Sequence, residues 1–545
     1  MERGADVVVV RARVLTSDPG PLVPSAVAVA GGRIVAVGDD EAVRDLIGAG
    51  TRVIDADGRS LLPGFQDAHV HPAEAGLEAM RCDLSEAPPD TYQELVAAYA
   101  RAHPDEEWIV GAGWTMEAFP LGLPRREELD TAVSDRPVFL RNRDGHGAWV
   151  NTRALEMAGV RPDTPHPPDG RIERDPGGEP TGALHEGAMA LVERLIPPPD
   201  RDRWEAAILE AQRRLHAWGI TAWQDAIVRP DVLAAYRSLA ERGRLSARVS
   251  AALWWDRHRG AEQIDELLEQ HRDGSVGRLR AGTVKIMQDG VAENFTAGML
   301  EPYLRHDGTT TAERGLSHVA PEELEAHVTA LDREGFQVHV HAIGDRAVRE
   351  ALDALEAART ANGPRDSRHH VAHLQVVHPD DIPRFARLDV VANAQPLWAC
   401  LDPQMRDLTL PILGAERAAN QYPFGRLVRS GARLAIGSDW PVSTANPFPQ
   451  LEVAVTRVPP DRRDADVFLP EERLELGAAV DAFTRGSAFV NFLEGGTGTI
   501  EKGKLADLVL LDRDLFDGGA GPIGETKVVL TVLEGQTVFE DPGLD

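Results

Sequence analysis

Cysteine is almost absent. Cys82 and Cys400 are the only two in 545 residues, so no disulfide framework can hold the fold and a reducing compartment is expected. Positive charge is also scarce: 58 Lys and Arg stand against 87 Asp and Glu, a formal net charge of −29. Binding nucleic acid needs clustered Lys and Arg to neutralise phosphates, so no nucleic-acid partner is expected. No apolar run approaches the roughly 20 residues that span a bilayer. The start, Met-Glu-Arg-Gly-Ala-Asp, lacks the basic residues and apolar core of a signal peptide. The expectation is a cytoplasmic protein acting on a small molecule, away from membranes, with a homodimer left open.

What is present is organised. The 50 Gly and 38 Pro are spread along the chain rather than pooled in a low-complexity tract. Asp6 to Leu15 is rich in β-branched residues, and Ser25 to Val29 and Arg33 to Gly38 flank a Gly31-Gly32 turn. Ala506 to Asp512 and Lys527 to Glu534 have the same texture. Two β-rich ends predict one small sandwich built from residues 1–62 and 487–545. The middle, residues 63–486, alternates apolar runs with helical stretches, the pattern of βα units. Its strand candidates are Leu62 to His71, Ile220 to Asp225, Ala247 to Trp255, Thr283 to Asp289, Phe336 to Ala342, His370 to Gln375, Val390 to Gln395 and Leu434 to Asp439. These supply the strands of an α/β fold of the (β/α)₈ TIM-barrel kind. His71 and Ile220 are 149 positions apart, far more than the ~30 residues of a βαβ unit. A large insertion, approximately 73–205, is therefore expected after the first strand, on the face where barrels keep their active sites.

Chemistry gathers at the strand ends. In His69-Val70-His71 the period of two turns both imidazoles to one face. Two neutral imidazoles grip Zn²⁺ or a similar ion, although a pair of hydrogen-bonded histidines reads the same way. His341 ends Gln337-Val338-His339-Val340-His341, His373 ends Val371-Ala372-His373, and Asp439 ends Ala435-Ile436-Gly437-Ser438-Asp439. His341 and His373 are 32 residues apart, and His373 and Asp439 are 66 apart, about one and two βα units. Lys285 should face the lumen, because Val284 and Ile286 beside it face outward. A bare ammonium next to cations is unfavourable. Nearby positive charge that lowered its pKa would let the neutral amine add CO₂ and become an anionic bridge. A salt bridge to a carboxylate such as Asp289 is the alternative.

These strings resemble known proteins. Leu62-Pro63-Gly64-Phe65-Gln66-Asp67-Ala68-His69-Val70-His71 is similar to the opening of amidohydrolase-superfamily barrels. Lys285-Ile286-Met287-Gln288-Asp289-Gly290, His341-Ala342-Ile343-Gly344-Asp345-Arg346-Ala347 and Gly437-Ser438-Asp439-Trp440-Pro441-Val442 resemble amidohydrolase family 3, the YtcJ-like subgroup that includes N-substituted formamide deformylases. The resemblance extends to Gly498-Thr499-Ile500 and Lys504 to Val509. It implies a composite β-sandwich, a metal-bearing barrel and hydrolysis at a carbonyl carbon. His69, His71, His341, His373 and Asp439 carry over as ligands to one or two divalent ions, Zn²⁺ first among them, with Lys285 as a carbamate bridge formed from CO₂. After Asp289-Gly290 the chain reads Val-Ala-Glu-Asn-Phe-Thr, a texture unlike the subgroup's, which bears on the substrate.

Within the insertion, Arg143-Asp144-Gly145-His146-Gly147-Ala148-Trp149-Val150-Asn151 also resembles the family. His146 is a candidate donor to a substrate carbonyl or its developing oxyanion, against a structural role. Trp114 and Trp398 are candidates for an apolar pocket wall or for core. The expected reaction is cleavage of a C–N amide bond, in an N-substituted formamide or other N-acyl compound, by hydroxide held at the metal, with Asp439 moving the proton. Ester or lactone hydrolysis is the nearest rival, followed by a lyase or isomerase on the same metals. A non-enzymatic scaffold has little reason to keep the whole ligand set.

Overall fold

The computed structural model describes residues 4–16, 24–519 and 521–544. Met1 to Arg3, part of the start that carries the no-leader reading, lie outside the described residues. Among the described residues no helix is long and apolar enough to cross a membrane.

Eight parallel strands form one sheet in the order of the chain: Phe65–Val70, Ile220–Val228, Arg248–Trp254, Leu279–Met287, Gln337–Ala342, His370–His373, Val391–Ala394 and Leu434–Ile436. Every strand candidate read from the sequence overlaps one of them. Side chains that point outward, such as Val284, Ile286, Val338 and Val340, are fully buried against the helices. The lumen is filled by Gln224, Thr283, Lys285, Gln337 and His339, all polar and none more than 4% exposed. Period-two alternation sorts the two sets.

The ring closes without a ladder between its last and first strands. The His69 carbonyl accepts from Asp439 N at 2.8 Å, and the Trp440 carbonyl accepts from His71 N at 2.9 Å. Asp67 stitches the same seam, its Oδ1 accepting from His69 N and from Ser438 N, both at 3.0 Å. Gly437 makes this approach possible. A Cβ there would lie 2.4 Å from His69 Cβ and 2.6 Å from His69 N, distances no side chain tolerates.

Two further sheets flank the barrel. Val7–Val14, Pro24–Ala30, Arg33–Gly38, Arg52–Asp55 and Ser60–Pro63 join Leu508–Leu511, Val528–Leu533 and Gln536–Glu540 in one sheet. The chain ends meet where Ser60–Pro63 pairs antiparallel with Leu508–Leu511. The C-terminal strands of this sheet begin only at Leu508. Upstream of it the helix Ser487–Val490 packs on the barrel, with Ser487 Oγ donating to the Ile436 carbonyl at 3.0 Å and Val490 clustered with Ala68, Val391 and Ala435. Between the first two barrel strands a six-stranded sheet runs from Cys82 to Glu186. The helix Arg201–Ala217 that follows leads directly into the second barrel strand.

Gly437→Ala should force the first and eighth strands apart. The expected loss is about 1–3 kcal/mol, the usual range for overpacking, read as a lower unfolding temperature. Gly477→Ala, where an added Cβ meets nothing within 4 Å, is the control. Equal unfolding temperatures for the two variants would contradict the account of the seam.

Candidate active site

The strand ends open into one cavity of about 920 Å³ that His69, His71, Lys285, His341, His373 and Asp439 all line, together with His146. Asp439 Oδ1 lies 2.8 Å from His71 Nε2 and 3.2 Å from His69 Nε2. Asp439 Oδ2 is 3.9 Å from His373 Nδ1. The nitrogen and oxygen atoms of His69, His71 and Asp439 lie within 4.8 Å of one another, close enough to share an ion. The His341 ring centroid is 4.3 Å from that of His373, and His341 Nε2 is 3.5 Å from Asp289 Oδ1. Both ring nitrogens of His373 and Nδ1 of His71 are buried without a hydrogen-bond partner among the described residues. Each such atom carries a desolvation penalty of about 1–3 kcal/mol. Coordination through one His373 nitrogen would satisfy that atom, and His69 Nε2, His71 Nε2 and Asp439 Oδ1 converge beside it as further donors, so the donor set fits a metal.

The backbone is strained at the same place. His373 has φ 79° and Asp439 φ 55°, in the left-handed region that non-glycine residues avoid. Such conformations survive only where the surroundings impose them, and they concentrate at functional sites. For Asp439 the imposing contact is the seam at Gly437.

Lys285 is buried in the lumen, and no hydrogen bond or ion pair to its ammonium forms among the described residues. The Asp289 alternative is not realised. Asp289 instead accepts three backbone N–H groups, from Gly298 (2.8 Å), Gly344 (2.9 Å) and Ile343 (3.0 Å). Burial lowers the Lys285 pKa to about 8 against the opposing pull of Asp439. The direction is the one expected, but desolvation, not neighbouring positive charge, is the cause.

His146 reaches the cavity from the insertion, its ring centroid 5.5 Å from that of His341. Its Nδ1 is 2.9 Å from Glu186 Oε1. Burial works against the charged imidazole, but Glu186 outweighs it and raises the His146 pKa to about 9. The Glu186 carboxyl is pushed upward by burial, but His146, His318 and the Thr296 hydroxyl together lower it to about 2. Glu186 has φ 52°. The sequence reading missed it: its partner is 40 residues away and no motif spacing links them. The atypical stretch after Gly290 packs here as well. Thr296 Oγ1 donates to Glu186 Oε1 at 2.9 Å and Asn294 Nδ2 to the His146 carbonyl at 3.2 Å.

The two tryptophans separate. Trp398 lines the cavity and stacks on His373 at 5.4 Å with 9° between the planes. Trp114 is core of the insertion, fully buried, with its indole N–H donated to the Leu140 carbonyl at 2.9 Å.

Comparison with known proteins follows the same lines. The amidohydrolase family model matches residues 52–539. Protein LONG AFTER FAR-RED 3 of Arabidopsis thaliana is 32% identical over 98% of this chain and 92% of its own length. The N-substituted formamide deformylase of Arthrobacter pascens is 27% identical over the full length of both chains, 100% of each. Among solved structures, an uncharacterized metal-dependent hydrolase from Pyrococcus furiosus superposes with a TM-score of 0.70 at 28% identity, covering 93% of this chain and 99% of the other.

The His146–Glu186 pair predicts a pH signature. A raised histidine pKa adds stability that is complete below the ordinary value of 6.5 and is lost as pH rises through about 9. The unfolding temperature of Glu186→Gln should therefore fall furthest below wild type at about pH 6 and approach it by about pH 10. A gap that does not change with pH would show that the two side chains do not form an ion pair.

Proposed function

The chain belongs to the amidohydrolase family, and from that premise we propose that it is a metal-dependent hydrolase cleaving the C–N bond of an N-acyl small molecule, an N-substituted formamide first among the candidates. One observation carries the reading: His69 Nε2, His71 Nε2 and Asp439 Oδ1 converge in a cavity, beside a His373 with no hydrogen-bond partner for either ring nitrogen among the described residues. His341 and Lys285 complete the set that would hold one or two ions. Zn²⁺ suits these nitrogen and oxygen donors. Bound there, a divalent ion supplies a Lewis acid for the carbonyl and makes water a nucleophile near neutral pH.

The chain's own groups do the rest. Asp439 accepts a proton from the attacking water and passes it to the leaving nitrogen, so that amide and water give carboxylate and amine. His146 is held protonated through Nδ1 by Glu186, which leaves its Nε2–H to donate to the oxygen that gains charge. Lys285, with its pKa lowered to about 8, has a neutral fraction at ordinary pH. That amine adds CO₂, loses one proton and becomes an anionic carbamate between the ligands. The cavity of about 920 Å³ far exceeds a formyl group, so the bulk of the substrate is its N-substituent. Trp398, Leu397 and Val291 offer it an apolar wall.

Purified protein should contain a transition metal, and chelation should abolish hydrolysis of an N-substituted formamide within a panel of amides, esters and lactones. Turnover confined to esters or lactones would replace the substrate class; full activity without metal would overturn the reading. Lys285→Ala should leave fewer ions per chain. Asp439→Asn keeps one ligand oxygen but cannot cycle a proton, so kcat should fall by about 10²–10⁴-fold with metal largely retained. A variant with metal bound and kcat near wild type would assign the proton to another group.

A further inference from the structure

Below the candidate ligands, a line of buried side chains crosses the lumen from the barrel's N-terminal end, and its hydrogen bonds have a direction. At the bottom, Gln337 Nε2 lies 2.7 Å from the Arg368 carbonyl and 3.0 Å from the Val490 carbonyl. Backbone carbonyls only accept, so this end of the amide is the NH₂ and Oε1 faces the lumen. Gln337 Oε1 accepts from the Thr283 hydroxyl at 2.7 Å and from Gln224 Nε2 at 3.2 Å. Gln224 is oriented in turn, with a second acceptor for its NH₂ in Asn491 Oδ1 at 3.4 Å. Its Oε1 then faces His339 Nδ1 at 2.7 Å, so His339 carries its proton on Nδ1. His339 is fully buried and no carboxylate contacts it among the described residues, so with its proton on Nδ1 its Nε2 is left as the acceptor. That nitrogen lies 2.9 Å from His69 Nδ1, so His69 must donate there. One position is left for the His69 lone pair: Nε2, which faces Asp439 Oδ1 at 3.2 Å.

We propose that His339, Gln224 and Gln337 are positioning residues that fix the His69 tautomer, so that the fold itself presents the Nε2 lone pair to the ion. This rests on the reading of His69 as a ligand. It adds that the ring is set by two main-chain carbonyls, through three side chains, before any metal arrives. A lone pair aimed at a carboxylate oxygen is repulsive unless a cation, a proton or a metal ion, lies between them, so the relay leaves His69 Nε2 as the position that a cation fills. Outer-shell partners of this kind orient ligands and tune affinity. No motif spacing advertises them. His339 reads in the sequence as a companion of His341, and Gln224 and Gln337 as ordinary strand residues.

The first test needs no substitution. A neutron map of the wild-type protein, with or without metal, should show deuterium on His339 Nδ1 and none on His339 Nε2, with the Gln224 amide nitrogen toward Gln337. Deuterium on His339 Nε2, or a reversed Gln224, would overturn the relay. This outcome is independent of the metal reading, which fails instead if the wild type takes up no ion. The second test is metal affinity by chelator competition. His339→Gln keeps an acceptor toward His69 and a donor toward Gln224, and should stay within about threefold of wild type. His339→Leu keeps bulk but neither group, and should lose about 10–100-fold. An unchanged Leu variant, or a Gln variant that loses as much as the Leu variant, would show that packing alone is at work.

Discussion

Where the barrel closes, Gly437 lies against His69 with no space for a Cβ, and the candidate site is organised around that contact. The seam has main-chain hydrogen bonds and the Asp67 carboxylate in place of a ladder. Because the eighth strand comes this close, Asp439 emerges beside both histidines of the first strand. It does so in a left-handed conformation that an isolated aspartate would seldom adopt. Closure of the barrel and placement of Asp439 beside His69 and His71 thus share one contact.

The lumen follows from the same geometry. Buried amide, hydroxyl, ammonium and imidazole groups occupy a core that most proteins fill with aliphatic side chains. Unpaired, each would carry a penalty, and most are therefore linked in directed hydrogen bonds. Among the described residues the exceptions include His71 Nδ1 and both ring nitrogens of His373 at the strand ends, and also Gln66 Oε1 and His370 Nε2 elsewhere in the barrel. The strand ends are also where His69, His71 and Asp439 converge in one small volume. The strain at His373 and Asp439 falls in the same volume, as expected where packing is overruled for function.

Much of this was legible in the sequence, for physical reasons. Period-two alternation separates lumen from helix-facing residues, so the strands carrying His69, Lys285, His341 and His373 could be found and their ends aligned. The break in βα rhythm marked the insertion, and the β-rich ends marked a shared sheet. What could not be read depends on contacts between distant segments. Nothing near Lys285 says that Asp289 is engaged by three backbone amides, or that burial rather than charge lowers its pKa. Trp114 and Trp398 look alike in a sequence, yet one is core and the other cavity wall. Glu186 is invisible because ion pairing across a sheet leaves no periodicity. The sandwich boundary at residue 487 reads naturally from texture, while the helix Ser487–Val490 packs on the barrel.

Glu186 and the Asn294–Thr296 stretch form a second cluster. They sit together beside His146, on the insertion side of the cavity, away from the seam and its ligands. The candidate ligands at the seam and this wall beside His146 are thus held by different parts of the chain. The central claim concerns the candidate ligands, and an anomalous difference map from metal-soaked crystals tests it most directly. The account predicts a peak at about 2.0–2.2 Å from His69 Nε2, His71 Nε2 and an Asp439 oxygen. Crystals with the metal elsewhere, or with those three side chains bonded only to each other, would contradict it.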